Sequence, residues 1–286
     1  MQLAERMNRL GSESAFEVAR KARALEAQGR EIIHLEFGEP DFPTPPNVVQ
    51  AGIRALRDGK TKYTASNGIL ALREAIVEHV SRTRGVSITP NQVVVTPGAK
   101  PIMFFTILAL VEPGDEVLYP NPGFPIYESM IKFCGGTPVP YTLREANHFR
   151  FDPAEFRARA SRRTKLIILN SPQNPTGGVL EQDDLQVVAE IAHQYDCMIL
   201  TDEIYDDLVY DGAFTSLFSI PTLADRTILL DGFSKTYAMT GWRLGWGVMP
   251  ADLAEQITLL QINSTSCVAD FVQYAGIEAL RGPQDS

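Results

Sequence analysis

The stretch KLIILNSPQNPTGGVLEQDDLQVVAEIAHQYDCMILTDEIY, residues 165–205, decides the fold. Its apolar opening, Lys165–Leu169, runs into turn residues and reads as a buried strand. The amphipathic stretch 182–195 reads as a helix, and Met198–Thr201 as a second strand. The same alternation extends upstream. Strand Gln92–Thr96 leads to helix 99–111, Glu116–Tyr119 to helix 124–134, and Pro138–Thr142 to helix 153–161. Downstream, strands Thr227–Leu230 and Leu244–Val248 precede helices near 251–262 and 267–281. Nearer the N-terminus, residues 14–28 form a helix ended by Gly29, and EIIHLEF (31–37) is strand-like. Pro45–Pro46 opens a helix ended near Gly59, and residues 69–84 are helical up to Gly85. Strands alternating with helices of this length predict an α/β fold, a mainly parallel sheet with helices on both faces.

Composition narrows the possibilities. The chain has 286 residues, 44% hydrophobic and 21% charged, enough for one large domain or two modest ones. A formal net charge of −9 offers no basic surplus for phosphates and argues against general nucleic-acid binding. The longest strongly apolar stretch, Ile102–Val111, is too short to cross a bilayer. The N-terminus lacks an apolar signal core. Cys134, Cys197 and Cys267 form no CxxC, and a reduced cytoplasm is the simplest setting. His34, His79, His148 and His193 have no metal-ligand spacing, and no metal is expected.

In a parallel sheet, ligands collect beyond the carboxyl ends of the strands. PGAK (97–100), NSPQNPTGG (170–178), DEIYDDLVY (202–210) and DGFSK (231–235) all fall there. Each has a plain alternative: Gly98 as a turn, NPTGG as turn chemistry, Asp202 as a helix cap, Lys235 as a solvated surface lysine. Together they suit one ligand. The Gly98–Ala99–Lys100 turn opens a helix whose free N–H groups suit a phosphate, and Arg243 can clamp the same group. Lys235 supplies an amine; an ordinary one titrates near ~10.4, and burial beside Arg243 lowers that value and readies it for an aldehyde. Asp202 can keep a ring nitrogen protonated, and Asn174 and Tyr205 can bind a phenolic oxygen. A ligand with an aldehyde, a phosphate, a basic ring nitrogen and a phenolic oxygen is pyridoxal 5′-phosphate (PLP). Phe124 either stacks on its ring or is an ordinary core aromatic.

The ordered runs FGEPDFPTP (37–45), KYTASNGILALREAI (62–76), VTPGAK (95–100), PNPGFPIYE (120–128), SPQNPTGG (171–178), TDEIYDDLVY (201–210) and SKTYAMTGWRLGW (234–246) resemble the class I/II aminotransferases of PLP fold type I. The likeness is greatest to the bacterial aspartate, aromatic and alanine aminotransferase subgroup. It implies a large domain (46–286) built on a seven-stranded sheet, and an N-terminal arm and small-domain segment (1–45). It also implies a cytoplasmic enzyme moving an amino group between an L-amino acid and a 2-oxo acid through a Lys235 Schiff base. Asp202 would hold the pyridine nitrogen, Asn174 and Tyr205 the phenolic oxygen, and Ala99, Lys100 and Arg243 the phosphate. Asn174 and the Gly38 backbone would meet the substrate. Tyr63 would reach the phosphate of a neighbouring subunit, which makes the expected assembly a homodimer with shared sites.

Two departures stand out. Relatives carry a hydroxyl residue three positions before the lysine; here that position is Gly232, with Ser234 adjacent as a substitute phosphate ligand. The family also continues into a C-terminal small-domain segment with an arginine for the substrate's α-carboxylate. This chain ends at LRGPQDS (280–286), and Arg281 is read as a surface residue. A C–S lyase on the same scaffold and a PLP-binding fragment of low activity are the alternatives. An aminotransferase-like transcription regulator is a poor match, because too few residues precede Glu31 for a DNA-binding domain. The helix over 101–111 is apolar apart from Thr106, a weak tilt toward neutral or apolar substrates that core packing explains equally well.

Overall fold

The structure is a computed structural model and describes residues 1–11 and 14–286. Helices α1 (Ser14–Glu26), α2 (Pro46–Arg57) and α3 (Leu70–Arg84) precede the sheet. Strand β1 (Val93–Thr96) leads to α4 (Lys100–Leu110), β2 (Glu116–Asn121) to α5 (Ile126–Cys134), and β3 (Thr137–Arg144) and β4 (Arg150–Phe151) to α6 (Pro153–Arg159). Then come β5 (Thr164–Asn170), α7 (Gln182–Tyr195), β6 (Met198–Asp202), β7 (Thr227–Gly232) and β8 (Gly245–Val248), closed by α8 (Ala251–Ser264) and α9 (Asp270–Arg281).

The sheet order is β1-β8-β7-β6-β5-β2-β3-β4. The pairs β2–β3, β2–β5, β5–β6 and β6–β7 are parallel, while β8 runs against both its neighbours. The carboxyl ends of β1, β5, β6 and β7 therefore share one edge. The seven strands expected between residues 92 and 248 are present. The eighth, β4, is two residues long and folds back on β3 after a turn through His148 and Phe149, both at positive φ. Two residues are too few to show a period of two, so nothing in the sequence marked this strand.

Each central strand feeds both faces, as successive side chains on a strand must. In β7, Ile228 and Leu230 pack with Met103, Tyr127 and Ile257 on one face, whereas Leu229 packs with Leu72 and Ile76 on the other. In β5, Leu166 and Ile168 enter the first of these clusters, and Ile167 and Leu169 a third beneath α7. Strands buried on both faces cannot alternate with polar residues, which is why they read as unbroken apolar runs. Each such side chain contributes roughly 1.5–3 kcal/mol on burial.

One expected element is absent. Glu31–Phe37 is irregular, with Ile33 and Leu35 84% and 87% exposed. Its composition suits a strand, but a strand exists only with a ladder partner, and the sheet order shows none for it among the described residues. The expected small-domain and large-domain boundary at residue 45 falls at Pro45, the N-cap residue of α2.

Candidate active site

The site is built from four loops that leave the same edge of the sheet. After β1, Gly98 adopts φ +84°, a conformation that favours glycine, and the Thr96 hydroxyl donates to its carbonyl at 2.7 Å. The turn delivers the chain to Ala99, the N-cap residue of α4. Arg243 comes from the loop between β7 and β8, held at φ +53° with its Nη1 donating to the Thr240 carbonyl at 2.9 Å. Its guanidinium lies where a Cβ on residue 98 would be, so Gly98 also makes room for it. Backbone from β8 closes the cradle: Gly245 packs so tightly on Gly98 and Ala99 that no side chain fits.

After β5, the Asn170 side chain ties the next loop down. Its Nδ2 donates to the Asp202 carbonyl at 3.1 Å, and its Oδ1 accepts from the Asn174 amide at 2.8 Å. The Asn174 side chain then donates to the Tyr205 hydroxyl at 3.4 Å. Burial pushes the Tyr205 phenol up to about 12, with Asp202 adding to the shift.

Asp202 ends β6 and is buried. Tyr127, from α5, donates its hydroxyl to Oδ2 at 2.6 Å. Burial raises the Asp202 carboxyl to about 6, against the Tyr127 and Ile204 hydrogen bonds and the charge of Lys235. Lys235 follows β7, half-buried, with its Nζ 5.6 Å from the Tyr205 ring centre and donating to the Gly38 carbonyl. Burial lowers its amine from the usual value and Arg243 adds to this, while Glu39 and Asp202 oppose it. Gly38 sits on the N-terminal segment, anchored further on by Thr44, whose hydroxyl donates to the Ala238 carbonyl at 2.6 Å and accepts from Trp242 Nε1 at 3.0 Å. A cleft of about 520 Å³ opens between Gly38, Asn174, Tyr205 and Leu208. A second, of about 770 Å³, lies beside Arg243, Glu39 and Trp242.

Phe124 is half-buried, edge-on to Tyr127 at 5.7 Å and 5.2 Å from the Lys100 ammonium. Ser234 is half-buried in the turn before Lys235. A Cβ at Gly232 would meet the Gly245 Cα at 3.0 Å, so the strand pair leaves little space for a serine there. Tyr63 stands apart, 90% exposed. Arg281 pairs on the surface with Glu78 at 2.7 Å.

Two features escaped the sequence reading. Tyr127 lies inside the NPGFPIYE run, but only the fold brings it to Asp202. Arg84, at the end of α3, is buried against Glu203 (3.1 Å), Asp206 and Asp231 (3.9 Å). The acid-rich DEIYDD run was its only signal.

Residues 30–286 match the family model "Aminotransferase class I and II". The chain is 38% identical to an aspartate aminotransferase of Geobacillus stearothermophilus, over 100% of this chain and 73% of that protein. It is 40% identical to a probable aspartate/prephenate aminotransferase of Aquifex aeolicus, over 99% and 72% respectively. A solved aspartate aminotransferase of Thermus thermophilus, with maleate, superposes with a TM-score of 0.95 at 36% identity, covering 98% of this chain and 73% of that one.

Proposed function

Because this chain belongs to the class I and II aminotransferases, we propose that Lys235 is its catalytic lysine and that the four strand-end loops hold PLP, the cofactor the family implies. The observation that carries this reading is the convergence of Lys235, buried Asp202, the Asn174–Tyr205 pair and the Gly98–Arg243 cradle on one edge of the sheet.

The donor set fits the cofactor. A buried carboxyl near 6 can ionise against a cationic ring nitrogen; Tyr127 binds Oδ2, and Oδ1 accepts only the Ile204 amide, at 3.4 Å, which leaves it a lone pair for that nitrogen. The paired Asn174 and Tyr205 side chains suit a phenolic oxygen, and Ala99, Lys100, Ser234 and Arg243 suit a phosphate. Phe124 offers an aromatic face beside them. When bound, PLP supplies the electron sink that makes the substrate's α-proton acidic and carries the amino group between amino acid and 2-oxo acid. The protein moves the proton. Lys235 Nζ, lowered by burial, is the base that takes it from the α-carbon. Gly38 and Asn174 position the substrate in the 520 Å³ cleft.

A homodimer belongs to the same reading, with Tyr63 completing the phosphate site of the neighbouring copy; its 90% exposure supports this. So does a division into an arm and small-domain segment (1–45) and a large domain (46–286). A cytoplasmic setting is supported by three free cysteines. Among the described residues no helix is long and apolar enough to cross a membrane.

The test is chemical. Protein incubated with PLP, reduced with borohydride and digested should carry the label on the Lys235 peptide; label elsewhere, or none, refutes the assignment. A panel of amino acids including aspartate, alanine and phenylalanine then reports substrate class through conversion of the bound cofactor.

A further inference from the structure

Two glutamines are wholly shielded from solvent: Gln261 on α8 and Gln273 on α9, both 0% exposed. Burying a primary amide is unfavourable unless its groups are hydrogen-bonded. Of the five hydrogen bonds their side chains make, three reach one loop, residues 63–69, while Gln261 Oε1 is buried without a partner among the described residues. Gln273 Oε1 accepts from the Ile69 amide at 2.8 Å, and its Nε2 donates to the Thr64 hydroxyl at 3.0 Å and the Val268 carbonyl at 3.0 Å. Gln261 Nε2 donates to the Ser66 carbonyl at 2.6 Å and to the Val95 carbonyl at 2.7 Å. The Val95 amide in turn donates to the Asn67 carbonyl at 3.1 Å, so the loop is sewn to β1 and to two helices at once.

Nothing in this stitching serves the loop's own most conspicuous side chain. Tyr63 immediately precedes the first tethered residue, Thr64, and is 90% exposed. A long side chain projecting from a rigid base loses less freedom when it engages a partner than one on a mobile loop. We infer that Gln273 and Gln261 are positioning residues that hold the 63–69 loop so that Tyr63 is presented, preorganised, to the active site of a second copy of this chain. The inference rests on the PLP-binding dimer of the preceding subsection. Its consequence is directional: loosening the loop in one copy weakens the site of the other copy, not its own.

Mixed dimers, made by co-expression with two different tags, test that direction. In the first, one copy carries Lys235→Ala and Gln273→Leu together and its partner is unchanged. In the second, one copy carries Lys235→Ala and the other Gln273→Leu. Both dimers contain the same two substitutions, so any loss of folding stability is common to them. Only the copy retaining Lys235 can be labelled by PLP and borohydride. In the first dimer that copy receives Tyr63 from the loosened loop, and its PLP affinity should fall about tenfold, the effect of losing one well-placed hydrogen bond to a charged group. In the second it receives Tyr63 from an intact loop, and affinity should stay near that of the Lys235→Ala/unchanged dimer. The reverse pattern, or equal loss in both, overturns the inference. A readout without cofactor accompanies it: in Gln273→Leu, hydrogen exchange should quicken at the Ile69 amide, and unchanged protection there also overturns it. Thr64→Val, which removes only the loop-side hydroxyl, should give a smaller loss of the same direction. Unsubstituted protein that is labelled at Lys235 yet sediments as a monomer defeats this inference alone. Protein that takes no label at Lys235 defeats the preceding reading and this one together.

Discussion

Asp202 and Glu203 are consecutive buried carboxylates at the end of one strand, and the fold treats them in opposite ways. Being successive, they leave the strand on opposite faces. Glu203 meets a cation: Arg84 lies 3.1 Å away, and Thr201 and Ser216 hydroxyls donate at 3.0 and 2.8 Å. Asp202 meets a phenol, Tyr127, at 2.6 Å. Burial raises both carboxyls, but Glu203 is answered inside the structure by a guanidinium, while Asp202 is given only neutral donors and the more distant Lys235 charge. The Arg84 side is a staple joining α3 to the ends of β6 and β7. The Tyr127 side leaves a carboxylate whose natural counter-charge is a cationic ligand. A buried acid with its own cation speaks for architecture, and one without speaks for binding.

Four experiments break or sharpen that contrast. Arg84→Met should have the largest effect on stability, about 3–5 kcal/mol by urea unfolding, because it strands Glu203, Asp206 and Asp231 together. Retained stability would mean that the three acids simply hold protons and need no cation. Asp202→Ala should reduce transamination about 10²–10³-fold while leaving bound PLP detectable by absorbance; undiminished turnover contradicts the electron-sink partnership. Next, Asp202→Asn should stabilise the cofactor-free protein above pH 6 by about 1–3 kcal/mol, seen as a raised melting temperature. The sign follows from the carboxyl being raised from 3.8 to about 6 in the fold. Its contribution is most favourable below its unfolded value and is lost as pH rises through about 6, so at neutral pH the ionised form is a burden. A variant less stable than the parent at pH 7, or an advantage that persists at pH 4, would count against this. Smallest, Tyr127→Phe removes a bond that favours the ionised form. Wild-type affinity for PLP should decline as pH falls through about 6, and in the variant the decline should begin up to about one unit higher.

The parts of this molecule legible in the sequence were those dictated locally. Ile228–Leu230 reads as a strand because both of its faces are covered, and Gly98 and NPTGG read as turns because few residues suit those conformations. Aminotransferase membership and the α/β sheet were legible too, carried by ordered motifs. What stayed hidden depended on distance. Tyr127 and Asp202 are 75 residues apart, and Arg84 and Glu203 are 119 apart; no local pattern announces such pairs. The strand-like EIIHLEF misled for a related reason, since alternation records what a segment is suited to pair with and not whether a partner is present. Gln261 and Gln273 were invisible for another: among surface-rich helices a glutamine is ordinary, and only its full burial gives it meaning.

The close packing of Gly245 on Gly98 and Ala99, with Gly232 against Gly245 on the other side, makes the cradle a contact of main chain on main chain. Such a contact has no rotamers through which change can be absorbed. A substitution there must displace a strand, and with it the loops bearing Lys235 and Arg243. The rim of the 520 Å³ cleft, at Leu208, Val209 and Tyr210, is made of side chains that can be exchanged singly. Over evolutionary time, then, the accessible variation in such a protein lies in what it accepts, while the chemistry it performs is locked into the spacing of its backbone.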